Sequence, residues 1–119
     1  MRLLIGLAAL AGVVACGSDY GSGPKSTNMN NTYDVFMIGD TFSPALGLQI
    51  APNDTILWHF AGGSDGNGHN VRFFPKITGS PTDLLVQKTG TARTVFHTKG
   101  DFKYVCDVHP GMGGEVIVQ

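Results

Sequence analysis

Cysteine is nearly absent from this 119-residue chain, which has only Cys16 and Cys106. That excludes a small domain stapled by several disulfides. Charge is sparse too, at 14% of residues with a formal net charge of −1. No run of like charges and no basic amphipathic stretch is present, which argues against a nucleic-acid partner and against electrostatic attachment to a membrane. No apolar run reaches the roughly 20 residues that a membrane-crossing helix needs. Beyond the first fifteen residues, no stretch repeats its apolar positions at the helical period.

What is present begins with an export signal. Met1 to Ala15 carries one basic residue, Arg2, and then an apolar stretch from Leu3 broken only by glycines and too short to span a bilayer. Residues 1–15 are therefore expected to be a signal peptide. The string Val13-Val14-Ala15-Cys16 resembles the bacterial lipobox, which implies that Cys16 is lipidated and becomes the new N-terminus. Two or more acyl chains would hold the protein at a membrane, because one gives only marginal binding. Residues 16–31 are rich in Gly, Ser and Asn and hold almost nothing to bury, so they read as a flexible tether with a reach of about 20 Å. The expected location is the bacterial cell envelope or periplasm, anchored by lipid.

From Thr32 onward the chain reads as one all-β domain, residues 32–119. Strands are expected at residues 33–38, 46–50, 55–60, 70–74, 84–87, 92–97, 102–105 and 116–118, separated by Gly, Pro, Asn and Asp. Pro52-Asn53-Asp54 and Lys99-Gly100-Asp101 are turn signals, since Gly, Asn and Asp tolerate unusual backbone angles and Pro fixes one. About eight short strands at this spacing indicate an antiparallel sandwich or flattened barrel. Its core is expected to draw on Val35, Ile50, Ile56, Trp58, Val71, Phe73, Val95, Phe96, Tyr104 or Val105, and the run Val116 to Val118.

The chemistry lies near the C-terminus. Cys106, His109 and Met112 stand three residues apart, which places a thiolate, an imidazole and a thioether in one short turn. Cysteine and methionine sulfur favour copper, and one Cys with two His in a plane and a weak axial Met is the arrangement of a blue-copper centre. His69, in Gly68-His69-Asn70-Val71, is the candidate for the second imidazole. With Cys16 consumed by acylation, Cys106 is a lone thiol in an oxidising compartment, so it needs either a bound metal or deep burial to protect it. Pro110-Gly111 can fold Met112 back over the metal. Zinc is the nearest rival, but structural zinc sites usually hold more thiolates and have no use for the Met. A Cys-His nucleophile lacks an orienting third group. His59 and His97 lack ligand spacing and read as surface or capping residues. Asp107 reads as a surface charge pointing away from His109.

These motifs, with the strand Phe102-Lys103-Tyr104-Val105 before Cys106 and the Gly113-Gly114 exit into the last strand, resemble those of the cupredoxins, the family of plastocyanin, azurin and amicyanin. The resemblance spans roughly Thr32 to Gln119 and implies a cupredoxin-like Greek-key β-sandwich holding one type 1 copper. His69, Cys106 and His109 would be equatorial ligands and Met112 the axial one. It also implies that Asn70 ties the two ligand segments together by hydrogen bonds. The ring of His109 would emerge through a small apolar patch including Pro110 and Pro44 and serve as electron port. The implied function is electron transfer by a monomer between redox protein partners in the envelope, not enzymatic catalysis. The alternative is an envelope protein for copper buffering or delivery.

Overall fold

The computed structural model describes residues 30–119. The leader expected at 1–15, Cys16 and the tether as far as residue 29 lie outside the described residues. The rest forms nine strands: β1 (Thr32–Ile38), β2 (Thr41–Ser43), β3 (Leu48–Ile50), β4 (Thr55–Phe60), β5 (His69–Phe73), β6 (Leu84–Gln87), β7 (Gly90–Val95), β8 (Gly100–Val105) and β9 (Gly113–Val118). They make two sheets, ordered β2-β1-β4-β7 and β3-β9-β8-β5-β6. Pairing is antiparallel except for β1 with β4 and β3 with β9. The chain passes back and forth between the layers, so most neighbours within a sheet are distant in sequence.

Alternation along the strands decides the core. In β4, Ile56, Trp58 and Phe60 are buried while Thr55, Leu57 and His59 are only half-buried on the opposite face, the period of two that a pleated strand imposes. Trp58 sits centrally, with Tyr104 edge-on at 5.0 Å between ring centroids and Phe42 and Phe73 at 6.3 and 6.5 Å. Phe73 continues to Phe96, and Phe96 to Phe102. Edge-to-face pairs of this kind contribute beyond the area they bury, because the positive rim of one ring meets the negative face of the next.

The buried indole also needs an acceptor, and Trp58 Nε1 donates to Thr94 Oγ1 at 2.8 Å across β4 and β7. This bond explains a difference from expectation. Thr94 and Phe96 face inward, so Val95 between them must face out, and it is 41% exposed. Thr94→Val keeps the shape but leaves the indole N–H without a partner, which costs about 1–3 kcal/mol. Thermal unfolding should show it as a melting point lower by about 4–8 °C per kcal/mol.

The opposite ends of the sandwich differ in character. Where β1 and β4 start, the carboxylate of Asp54 is buried and accepts from the backbone N–H of Asn31 and of Ala51, each at 2.8 Å. At the other end of β1, Gly39 and Asp40 turn the chain into β2, and there His69, Cys106 and His109 gather. β2 was not expected from the sequence, because three residues after a glycine turn are too few to show a period.

Candidate metal centre

Three elements deliver the donor atoms. His69 opens β5, and the antiparallel register that sets Arg72 opposite Val105 carries it just past the end of β8, where the chain leaves the sheet at Cys106. The segment after Cys106 is closed by two backbone bonds, Cys106 N–H to Met112 O at 2.9 Å and Met112 N–H to His109 O at 3.1 Å. Gly111 makes the turn between them at φ 84°, a left-handed angle that costs other residues energy. His109 is thereby folded back toward Cys106, and Met112 is buried in the same core cluster as the thiol.

Side-chain geometry is that of a ligand set. Cys106 Sγ lies 3.8 Å from His69 Nδ1 and 3.7 Å from His109 Nδ1, and all three donors fall within 4.8 Å of one another. Bonds of about 2.3 Å to sulfur and 2.0–2.1 Å to nitrogen, opened by about 120°, separate the two atoms by about 3.8 Å. The two sulfur–nitrogen separations therefore fit one metal ion shared by the three residues. His69, Cys106 and His109 are 0%, 4% and 7% exposed, so such an ion would sit away from bulk water.

The electrostatics favour metal-ready forms of two of the ligands. Burial alone would push the Cys106 thiol up, but hydrogen bonds from the backbone of Asn70, from the His109 ring and from the His109 and Val108 backbone outweigh it and bring the thiol below its usual value. Burial, and then the neighbouring His109, lowers His69 and so favours the neutral form of its ring. Its Nε2 is buried, and among the described residues it makes no well-aligned hydrogen bond, with the Gly39 backbone the group that acts on the ring.

Asn70 spans the two ligand segments. Its Oδ1 accepts from Asp107 N–H at 2.7 Å, and its Nδ2 donates to Asp107 Oδ2 at 2.8 Å. Asp107 does turn outward, but its other oxygen is held by Arg72 at 2.7 Å, so the residue after the cysteine is fastened to β5 by two side chains. His59 and His97 stand elsewhere, His59 bonded to Asp34 and stacked on Phe36, His97 bonded to Asn53.

The loop between β4 and β5 folds over the His109 ring and brings carboxylates to it. His109 Nε2 lies 3.0 Å from Asp65 Oδ1 and 3.5 Å from Asp40 Oδ1. A Cβ placed on Gly63 would collide with that nitrogen, so only glycine allows the loop so close. Pro110 is exposed beside the ring in sequence. Pro44 is also exposed, but its segment is tied to the last strand, where Glu115 N–H donates to Ala45 O. The acidic cover was not read from the sequence. The only signal was the density of Gly, Asp and Asn in residues 62–68, which reads as a turn.

No family model matches the chain, and no curated protein does. Solved structures do. The copper-containing nitrite reductase of Thermus scotoductus SA-01 is 23% identical with a TM-score of 0.62, over 76% of this chain and 22% of that one. The chain thus spans about a fifth of the length of that protein. Amicyanin from Paracoccus versutus is 23% identical with a TM-score of 0.59, over 74% of this chain and 81% of that one. A variant of amicyanin in its reduced Cu(I) form at pH 4 is 24% identical with a TM-score of 0.62, over 76% and 85%. The described part of this chain accordingly has the cupredoxin-like β-sandwich fold that those proteins share.

Proposed function

We propose that this protein is a type 1 copper protein that carries single electrons between redox partners in the cell envelope. The observation that supports it most is the convergence of His69 Nδ1, Cys106 Sγ and His109 Nδ1 at sulfur–nitrogen separations of 3.7 and 3.8 Å, a spacing that one ion satisfies. Copper, when bound, supplies a one-electron couple between Cu(II) and Cu(I). The chain's part is to hold the ligands still. Cys106 would give the thiolate, His69 and His109 the imidazoles, and Met112 a weak axial sulfur. Because the ligands come from β5 and from a loop that Asn70 and Asp107 brace, they would move little between the two states, and little movement makes electron exchange fast.

The reading of residues 1–15 as a signal, of Cys16 as the lipidated residue and of residues 16–31 as a tether belongs to this proposal. So do the monomeric state and the absence of enzymatic turnover. The electron is proposed to enter and leave at His109, where Pro110 is exposed, with the partner meeting an acidic rather than a purely apolar surface. Pro44 belongs to the port only as the sequence resemblance implied. Copper buffering or delivery is the competing function, and the burial of all three donors favours retention over hand-over.

Cu(II) added to the protein is expected to give an intense thiolate-to-copper absorption band and an electron paramagnetic resonance spectrum with narrow copper hyperfine splitting. Reversible one-electron reduction without loss of metal is expected to follow. A weak band with wide splitting would reject the type 1 site. Rapid loss of copper to a competing acceptor would replace the carrier by a delivery protein.

A further inference from the structure

The loop over His109 is a built object. Gly63 N–H donates to Asn67 O at 2.7 Å, and Gly66 N–H to Gly63 O at 3.0 Å. Asp65 braces the same turn, accepting from Asn67 N–H at 2.9 Å and from Asn67 Nδ2 at 2.7 Å. The loop is then fastened to the turn between β1 and β2, because Ser64 donates from its backbone and hydroxyl to Asp40, at 3.0 and 2.6 Å. Asp65 Oδ1 is left 3.0 Å from His109 Nε2, on the side of the ring opposite the nitrogen that faces Cys106.

We propose that Asp65 is a positioning residue for His109: by accepting the Nε2 proton it fixes the ring with a bare Nδ1 aimed at the metal pocket, and its charge favours the more highly charged state of the bound metal. This rests on the copper reading for its second half only. A neutral imidazole carries one ring proton, and which nitrogen keeps it is set by the bond the other can make. In His109 two groups compete. Asp65 draws the proton to Nε2, whereas a Cys106 thiolate, 3.7 Å from Nδ1, draws it to Nδ1. The carboxylate is closer, 3.0 Å against 3.7 Å, and Asp40 adds a second negative charge on its side of the ring, so Nε2–H wins and Nδ1 is free to bind. A carboxylate on the far nitrogen of a ligating His also raises the basicity of the ring.

Asp40 supports the same arrangement in two ways. It holds Ser64, and so the loop, and its own Oδ1 stands 3.5 Å from Nε2 as a second negative charge. Among the described residues His69 has no carboxylate on its ring, only the backbone of Gly39 acting on it. The two imidazoles are therefore unequal, and the one at the covered end is the one that is locked.

The test has two readouts. Long-range proton–nitrogen correlation spectra of the metal-free protein, taken where the ring is neutral, are expected to show His109 as the Nε2–H tautomer. In Asp65→Ala the proton should move in large part to Nδ1, with the spectrum unchanged outside His109 and the loop that Asp65 braces. Retention of the wild-type tautomer in that variant would overturn the proposal. In the copper-loaded protein, Asp65→Asn keeps an acceptor and the turn but removes the charge. It is expected to shift the preference for Cu(II) over Cu(I) about tenfold toward Cu(I), a rise of about 59 mV for one electron, with the visible band in place. An unmoved potential would overturn the role of the charge. If the tautomer responds while no thiolate-to-copper band forms in the wild type, the copper reading fails and the positioning of His109 stands.

Discussion

Replacing Cys106 by serine is expected to remove the intense visible band of the copper-loaded protein completely and to lower its copper affinity by more than the roughly 10–100-fold that outer-shell partners are worth. The band arises from charge transfer between thiolate sulfur and copper, and a hydroxyl offers neither the polarizable electrons nor, at neutral pH, the negative charge. The scaffold should tolerate the change. The backbone donors from Asn70, Val108 and His109 that act on the sulfur can act on an oxygen, and the bond from Cys106 N–H to Met112 O belongs to the backbone. Absorption spectra and a competitive copper titration check the prediction, with unfolding of the metal-free variant as control. A Cys106→Ser protein that kept the band would show that this thiol is not the ligand. Met112→Leu should behave differently, keeping the band and raising the potential, because in the proposed site the Met112 sulfur would bond copper only weakly.

The contrast between those two variants also shows what could be read from the sequence. Residue type and spacing pointed to His69, Cys106 and His109, and the fold brings their donors within 4.8 Å. Such a reading works because a strand end fixes the direction of one ligand and a tight turn returns the next to the same point. Strands β4 and β6 were legible to the residue, since turn residues bound them on both sides. The face of β7 was not. Val95 and Phe96 were both placed in the core, although adjacent residues in a strand must point to opposite sides, and the need of Trp58 for an acceptor decides for Thr94. The cover on His109 was hidden for another reason. Asp40 lies 24 residues from Ser64 and Asp65 lies 44 from His109, and an aspartate in a glycine-rich loop looks like a turn residue whatever it touches.

Asp54 was read as a turn residue for the same reason, and its replacement by alanine is expected to have the largest effect on stability of any polar substitution argued above. It is 1% exposed, and its two oxygens accept the N–H groups of Asn31 and Ala51, which joins the start of β1 to the turn before β4. A hydrogen bond to a charged group is worth about 1.5–3 kcal/mol, so losing two costs about 3 kcal/mol or more. For a domain of this size that lowers the melting temperature by about 12–24 °C. The bonds from Asn53 N–H to Phe96 O and from Phe96 N–H to Asp54 O remain, so the turn should still form while the N-terminal strand frays. Because this end of β1 is opposite the end that carries Asp40, the copper-loaded variant is expected to keep the wild-type band at low temperature. Metal bound to the native state alone should return part of the lost stability. Calorimetry of the metal-free and copper-loaded forms, with the band recorded alongside, checks both halves, and a melting point within a few degrees of wild type would show that water replaces the carboxylate at little cost.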